Sequence, residues 1–466
     1  MVLPFQNKEK KGRRHMNINM LKGSPVKAVL RFSVPLMIGN FFQLFYNLAD
    51  SMIVGRFVNA DALAAVGVTG PINSLLIGFA MGLTTGFAIP VAAAFGAGDK
   101  AKVRKFFGNA MFLTMLMSIL ITVLSVSLSR PLLRLIDTPA EIFEDANTYA
   151  VIIFSGTVFA MFYNVLSAMI RAVGDSRSPL IFLIASSIVN IVLDLVFVLL
   201  FHLAIVGVAV ATVIGNAVSM VLCIWFVRHR HPELHTKKSD YKPDKAICRS
   251  LLSMGIPMAL QLSITAIGSL ILQGAVNSFG AHAVAAISVG SKAENIVNTV
   301  LSSLGVALST FVAQNRGAKQ YTRIFRSVRQ IFLLDLTLSV VASLILWFLG
   351  KRIGMLFIKD SVEEILSLTD TYLKTLACFY MALAVLFIFR NLLQGLGYGY
   401  TSAIAGAAEL CGRVLIAYVL ASRFGFPAIC LAGPAAWILA DIPLVIIYFA
   451  KKRKLKQQFC AEEPAA

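Results

Sequence analysis

The chain carries the same apolar layout twice. Residues 251–318 repeat the layout of residues 29–97 with nearly unchanged spacing, and each copy has a proline near its start, Pro35 or Pro257. A duplicated apolar half is typical of transporters built from two pseudo-symmetric helical bundles. The repeat therefore constrains the fold and the class of function together.

The composition is that of a membrane protein. Hydrophobic residues make up 58% of the chain and charged residues 14%, whereas soluble proteins average roughly 25% charged residues. Apolar blocks long enough to cross a bilayer, about 20 residues each, follow one another closely. Twelve spans are predicted, at 31–55, 63–90, 107–129, 147–171, 179–201, 207–228, 251–279, 284–313, 328–350, 370–394, 401–422 and 428–450. We expect an all-α polytopic membrane protein with 12 transmembrane helices in two pseudo-two-fold-related six-helix bundles.

The net charge of +19 indicates membrane topology. When the spans are numbered from a cytoplasmic start, 32 of the 42 Lys and Arg residues fall on the cytoplasmic side. This asymmetry follows the positive-inside rule, so we expect both termini in the cytoplasm of a bacterial inner membrane. The basic loops then meet anionic lipid headgroups, and no nucleic-acid partner is expected.

The chain divides into five predicted segments. They are a basic N-terminal segment (1–28), an N-lobe of helices 1–6 (29–228), a polar cytoplasmic linker (229–250), a C-lobe of helices 7–12 (251–450) and a basic tail (451–466). The sequence has no Gly-x4-Gly-Lys-Ser/Thr loop, and short connections leave no room for a soluble catalytic domain. We expect neither an enzyme nor a bound cofactor, and we expect a monomer.

Two acids stand inside the N-terminal spans. Burying a charge at the bilayer centre costs roughly 2.5–3.5 kcal/mol on insertion scales, so each acid needs a reason. Asp50 lies about five residues from the outer end of span one and Asp194 about seven from that of span five, roughly 7–10 Å deep at 1.5 Å per residue. We expect the two acids to share one cavity, although each alone also fits an interfacial or structural residue.

Polar residues gather at the same depth. Tyr46 precedes Asp50 by four residues and Asn190 precedes Asp194 by four, so each pair shares a helix face, and Thr212 enters span six from the same side. These hard oxygen donors suit Na+ or a shared proton. No basic residue stands inside these spans to neutralise the acids, and the sequence does not separate the two ions.

The C-terminal spans carry charges of both signs. They are Lys292, Glu294, Glu409, Arg413 and Asp441. Glu409 and Arg413 are spaced to pair along one helix, whereas Lys292 and Glu294 are two apart and do not face each other. We favour a structural network of charges, in which Asp441 could pair with Arg413. A second cation site in these spans is the alternative interpretation. Asp335 is expected to reach water at the cytoplasmic face.

Span one carries two further features. Pro35 lies on the helix that bears Asp50, so we expect a bend there that depends on protonation. The aromatic residues Phe41, Phe42, Phe45 and Tyr46 suit a cavity for flat lipophilic cations, although packing or lipid contact also explains them.

The residues resemble a known family at this point. The segments Phe45–Arg56 (FYNLADSMIVGR), Ala62–Gly67 (ALAAVG) and Asn190–Asp194 (NIVLD) are similar to signatures of the multidrug and toxic compound extrusion (MATE) family. The resemblance implies two six-helix bundles that exchange drugs for Na+ or H+ by alternating access. It places the family's N-lobe cation site on Asp50, Asn190, Asp194 and Thr212, with Tyr46 beside it, and the helix-1 bend on Pro35.

The chain departs from one branch of that family. Members similar to the NorM branch carry an acid in span seven, eight residues past its proline, where this chain has Thr265. Span ten also lacks an acid in its apolar body. The resemblance therefore favours a DinF-like mechanism in the N-lobe.

The leading hypothesis is export of amphipathic or cationic organic compounds by antiport against H+ or Na+. A lipid-linked oligosaccharide flippase of the wider superfamily is one alternative, but the N-lobe lacks the intramembrane cationic cluster that diphosphate headgroups need. A passive channel is a second alternative, and it would dissipate an ion gradient without exchanging a substrate.

Overall fold

The computed structural model describes residues 18–355, 363–455 and 457. Most of the predicted basic N-terminal segment (1–28) and of the basic tail (451–466) lies outside these described residues.

The described chain is helical and contains no strand. Its α-helices are α1 (Pro25–Ile53), α2 (Ala60–Gly96), α3 (Lys100–Leu135), α4 (Ala140–Ser155), α5 (Thr157–Ala172), α6 (Arg177–Leu195), α7 (Ala204–Arg230), α8 (Lys245–Asn277), α9 (Ala281–Gly317), α10 (Tyr321–Met355), α11 (Glu363–Gly395), α12 (Tyr400–Leu415), α13 (Ala421–Phe424), α14 (Phe426–Cys430) and α15 (Ala432–Leu455). Five-residue π-helical turns, Val54–Val58, Val196–Leu200 and Ile416–Leu420, continue α1, α6 and α12.

Short polar residues start the second and third helices. The Asn59 side chain accepts a hydrogen bond from the Ala62 amide at 2.6 Å, and the Asp99 side chain accepts one from the Lys102 amide at 2.9 Å. Each side chain satisfies one of the amides that a helix start leaves without a partner. The long apolar runs that follow need no further polar partner, because a helix pairs its own backbone groups in lipid.

The helices account for the predicted spans. Eleven helical segments of the described chain are long and apolar enough to cross a membrane, and α4 with α5 forms a twelfth that bends by 43°. The bend lies at Gly156, where a Cβ would overlap the Val213 side chain on α7. An all-α fold with up to twelve spans is confirmed.

The chain forms two compact units. Among the described residues, unit 1 contains 18–19 and 34–259, and unit 2 contains 20–33, 260–355, 363–455 and 457. Each division falls inside a helix that has a proline in its interior, α1 with Pro35 and α8 with Pro257. The lobe boundaries inferred from the sequence stay a prediction.

Glycines bring helix backbones close together inside unit 1. A Cβ on Gly82 would lie 2.5 Å from the Met258 carbonyl oxygen, and one on Gly86 would lie 2.5 Å from the Gly255 Cα atom. No other residue fits such an approach between α2 and the first half of α8, because real Cβ atoms do not come so near. This contact fixes the first half of α8 on α2.

The segment between α7 and α8 is docked on α3 of unit 1. The buried Asn109 side chain donates to the Asp240 and Lys242 carbonyl oxygens at 3.3 and 3.4 Å and accepts from the Asp244 amide at 2.8 Å. Leu234 is also buried in this segment. The predicted linker is therefore a packed part of unit 1 over this stretch.

Candidate functional site

Two carboxyl groups face each other inside unit 1. Asp50 stands near the end of α1, and Asp194 stands near the end of α6, where its side chain is fully buried. The two groups are close enough to interact directly. Neither oxygen of Asp194, nor the buried Oδ1 of Asp50, has a hydrogen-bond partner of normal geometry within the described chain. The two acids thus lie together in unit 1, as the sequence predicted, whereas their depth in the membrane and their role in binding a cation stay predictions.

The predicted polar neighbours lie around the pair. Asn190 is buried one turn before Asp194, and neither its amide nitrogen nor its oxygen has a partner among the described residues. On α7, Thr212 donates to the Val208 carbonyl at 3.0 Å and lies beside Tyr46 of α1. Tyr46 interacts electrostatically with both acids.

A glycine sets the spacing between α6 and α7 at this point. A Cβ on Gly215 would lie 3.1 Å from the Asn190 Cβ atom and 3.5 Å from the Ser186 carbonyl oxygen. Such a distance is tighter than most real Cβ contacts. The bare backbone of Gly215 therefore lets Asn190 pack against α7 one turn from Thr212.

One residue of this cluster was not predicted from the sequence. Tyr149 is buried on α4 and interacts electrostatically with Asp50 and Asp194. The polar cluster of unit 1 therefore draws on α1, α4, α6 and α7, which are the helices of predicted spans one, four, five and six.

The chemistry of the cluster fits a small monovalent cation or a proton. Two facing carboxyl groups repel each other when both are ionised, so a proton or a cation between them relieves the repulsion. Carboxylate, amide and hydroxyl oxygens are also ligands that hard cations prefer. No group of three or more His, Cys, Asp or Glu residues suited to a metal ion occurs in the described ranges.

The aromatic residues of α1 differ in exposure. Phe45 has 69% of its surface exposed, whereas Phe41, Phe42 and Tyr46 are partly buried. Pro35 lies in the interior of α1. A substrate cavity at these aromatic residues and a functional bend at Pro35 both stay predictions.

A charged network is present in unit 2. The Glu409 carboxylate is 3.2 Å from the Arg390 guanidinium and 4.0 Å from that of Arg413, and it accepts a hydrogen bond from Thr265 at 3.3 Å. The predicted pairing of Glu409 with Arg413 is thus confirmed, and Arg390 is a second partner that the sequence analysis did not name. Asp441 interacts electrostatically with Arg390, and its buried Oδ1 has no hydrogen-bond partner in the described chain.

The shortest hydrogen bond of the Arg413 guanidinium is not to Glu409. Its guanidinium donates to the Thr265 carbonyl oxygen at 2.7 Å and to the Ser269 hydroxyl at 3.3 Å. Among the ion pairs of the described residues, its carboxylate partner is Glu409, so the suggested pairing of Asp441 with Arg413 is wrong for this structure. The Thr265 carbonyl oxygen, and not Asp441, is the further partner of Arg413.

Three further charges lie on α9 and α10. Lys292 is exposed, while Glu294 accepts a hydrogen bond from the Tyr372 hydroxyl at 2.7 Å. Asp335 is fully buried, and neither of its carboxyl oxygens has a hydrogen-bond partner in the part of the chain that the structure describes. The expectation that Asp335 reaches water is wrong for this structure, because neighbouring helices cover it.

Known proteins resemble this chain over most of its length. A family profile described as MatE matches residues 35–196 and 257–419. Probable multidrug resistance protein YoeA of Bacillus subtilis (strain 168) is 30% identical over 346 residues, which cover 73% of this chain and 75% of that protein. Probable multidrug resistance protein YpnP of the same organism is 27% identical over 377 residues, 81% of this chain and 84% of that protein.

A solved structure has the same fold. It is described as "Crystal structure of MATE in the bent conformation" and superposes with a TM-score of 0.88 over 95% of this chain and 99% of that chain, at 22% identity. The resemblance inferred from the motifs of spans one and five is confirmed, whereas assignment to the DinF-like branch stays a prediction. Because the family profile covers both repeated halves, the chain belongs to the MatE family, whose members are multi-pass membrane transporters and not enzymes.

Proposed function

We propose that this chain exports amphipathic or cationic organic compounds in exchange for H+ or Na+, by alternating access. The observation that carries the proposal is the facing pair Asp50 and Asp194, whose buried oxygens lack hydrogen-bond donors. The relatives named as multidrug resistance proteins support drugs as the substrate class.

The carboxyl pair supplies a physical reason for coupling. Two facing carboxylates whose buried oxygens lack donors, with no resident basic group, are costly, so the pair keeps a proton or takes up a cation. Asn190 and Thr212 offer neutral oxygen ligands beside the pair, and Tyr149 and Tyr46 offer hydroxyl groups. The ion therefore stabilises whichever conformation holds this cluster together.

Coupling requires that the ion and the substrate favour different states. If the bound ion weakens substrate affinity about tenfold, the substrate weakens ion affinity by the same factor, or about 1.4 kcal/mol. A cationic substrate near the ionised pair gains electrostatic attraction that protonation removes. Entry of the ion would then release the substrate on the outer side.

The proposal includes a topology. The positive-inside distribution of Lys and Arg favours a bacterial inner membrane with both termini in the cytoplasm. In that orientation Asp50 and Asp194 lie in the outer half of their spans. We propose that the protein works as a monomer, since each unit contains its own polar cluster.

The test is transport by the purified protein in liposomes. A fluorescent organic cation is offered first with only a pH gradient and then with only a sodium gradient. We expect uptake to follow one of the two gradients, and Asp50→Asn and Asp194→Asn each to abolish that dependence.

Asp61→Asn is the matched control, because Asp61 is exposed in the first turn of α2. Gradient-driven exchange that is undiminished in both site variants would remove the mechanism. A channel would instead dissipate the ion gradient without any substrate present.

A further inference from the structure

Unit 2 contains a carboxyl group that the proposed mechanism does not use. The Oε2 atom of Glu294 on α9 accepts a hydrogen bond from the Tyr372 hydroxyl on α11 at 2.7 Å. Its Oε1 atom accepts one from the Asn298 amide, one turn further along α9, at 3.4 Å. Both donors are neutral, so they hold the carboxyl group in place without cancelling the charge of its ionised form.

A glycine positions the tyrosine. Gly290 lies one turn before Glu294, and a Cβ there would overlap the Tyr372 ring. The ring therefore packs directly on the α9 backbone, which directs its hydroxyl group to the next turn. Tyr372 is itself 9% exposed, so this placement is enclosed by protein.

A second buried hydroxyl group interacts with the carboxyl group. Tyr380 is fully buried on α11 and stacks on Trp437, with ring centroids 5.9 Å apart. Its hydroxyl group makes no hydrogen bond within the described residues, and it interacts electrostatically with Glu294. Buried polar groups are normally satisfied, so an unpaired hydroxyl group at this place indicates a position where hydrogen bonding changes.

The internal repeat relates this arrangement to the cluster of unit 1. Pro257 follows Pro35 by 222 residues and Tyr372 follows Tyr149 by 223, so the two tyrosines hold nearly equivalent places in the two halves. Tyr149 faces the acids of unit 1, and Tyr372 bonds the acid of unit 2. In unit 2 the acid comes from α9, at a place where the first half has no acid.

We propose that Glu294 is a proton-binding site of unit 2, formed with Tyr372, Asn298 and Tyr380. Uptake adds one proton from water to a carboxylate oxygen, and release returns it, with no other bond made or broken. The protonated carboxyl group gains a donor of its own, which the unpaired Tyr380 hydroxyl oxygen can accept.

The charged and titratable groups that interact with Glu294 come from two other helices. They are Tyr372 and Tyr380 of α11 and Arg413 of α12, which acts at longer range. Lys292 precedes Glu294 on α9 itself. In the described part of α10, no group takes part in the interactions of Glu294.

The direct test is infrared spectroscopy of the purified protein in lipid. The difference spectrum between acidic and alkaline buffer reports the carbonyl stretch of protonated carboxyl groups. We expect Glu294→Gln to remove one component of that signal, and Tyr372→Phe to keep the component but shift its position, because the carboxyl group loses its shortest hydrogen bond. A folded Glu294→Gln protein with the wild-type spectrum would overturn the proposal.

Two variants keep the test decisive. Tyr372→Phe loses only a hydroxyl group, so an unshifted spectrum in that variant contradicts the proposal even if Glu294→Gln fails to fold. Asp50→Asn combined with Asp194→Asn must leave the Glu294 component in place. That double variant separates the two sites, because the component survives whether or not the acids of unit 1 couple transport.

A transport measurement extends the test and rests on the proposed function with H+ as the coupling ion. If Glu294 contributes one coupled proton, its loss lowers the maximal drug accumulation about tenfold at a gradient of one pH unit, since one pH unit corresponds to about 1.4 kcal/mol per proton. Unchanged accumulation in Glu294→Gln contradicts a coupled role. Loss of accumulation in the Asp50 and Asp194 variants tests the proposed function separately.

Discussion

The carboxyl group of Asp50 on α1 faces that of Asp194 on α6, with no hydrogen-bond donor to the buried oxygens of either in the described chain. Most buried acids are bonded or paired, because an isolated buried charge is costly. An acid pair left open in this way is suited to bind and release an ion repeatedly. The surrounding side chains hold the pair in place, and the first prediction tests this positioning.

Gly215→Ala should weaken ion coupling without removing any ligand. The added Cβ would lie 3.1 Å from the Asn190 Cβ atom, so α6 and α7 must separate and Asn190 must move. Overpacking of this kind costs about 1–3 kcal/mol, and we expect a lower melting temperature together with a several-fold weaker dependence of transport on the ion gradient. Gly67→Ala is the control, since nothing lies within 4 Å of its added Cβ. Equal coupling in both variants would contradict the positioning role.

Asn109→Ala should release the segment between α7 and α8 from α3. The variant removes three hydrogen bonds to linker backbone atoms, at a cost of about 2–3 kcal/mol in total. We expect limited trypsin digestion to cleave faster at the linker lysines Lys237 and Lys238. Ser239→Ala, on the exposed surface of the same segment, should digest like the wild type. If Asn109→Ala does too, the segment is held by other contacts.

The buried carboxyl group of Asp175, just before α6, predicts acid sensitivity. Burial acts to raise the pKa of Asp175, but His231, 3.5 Å away, and hydrogen bonds from Ser178 outweigh it and hold this pKa below its usual value. The stabilisation is therefore complete above about pH 4 and is lost as the pH falls through the lower folded-state pKa. Melting temperatures measured against pH should fall less steeply in acid for Asp175→Asn than for the wild type. Parallel curves would contradict this assignment.

Glu409→Gln should destabilise unit 2 rather than alter coupling. Glu409 is the carboxylate partner of Arg390 and Arg413, and its side chain is 4% exposed. Removing one partner of a buried ion pair costs about 3–5 kcal/mol, whereas Thr265→Val removes one hydroxyl group that donates to Glu409 and to the Gln261 carbonyl oxygen, a loss of about 1–2 kcal/mol. Denaturation curves should show this order. A normally stable Glu409→Gln protein that has lost gradient-driven exchange would instead place Glu409 in an ion site.

The polar cluster of unit 1 could be predicted from the sequence because the spacing of its residues along single helices places them on shared faces. Asp50 with Tyr46, and Asp194 with Asn190, are spaced one helical turn apart, and their depths follow from the rise per residue. Tyr149 was not predicted, since a single tyrosine in an apolar span gives no local signal. The repeat offers one, because Tyr149 and Tyr372 are separated by 223 residues, almost the same spacing as the 222 residues between Pro35 and Pro257.

The charges of unit 2 show where such reasoning stops. The Glu409 and Arg413 pair lies within one helix and was predicted. The partner of Glu294 is Tyr372, on a different helix, and the partner of Arg413 is the Thr265 backbone. Contacts between helices depend on rotation and packing that spacing within one helix does not specify. The full burial of Asp335 likewise depends on its neighbours.

Release of the ion on addition of substrate tests the central claim most directly. The purified protein is placed in weakly buffered solution with a pH dye, or preloaded with radioactive sodium, and an organic cation is added. We expect release of H+ or Na+ from the wild type and from Glu294→Gln, and clearly less from the variant carrying both Asp50→Asn and Asp194→Asn. Saturable binding of the cation to the wild type with no release of either ion, or equal release from the double variant, would contradict the claim.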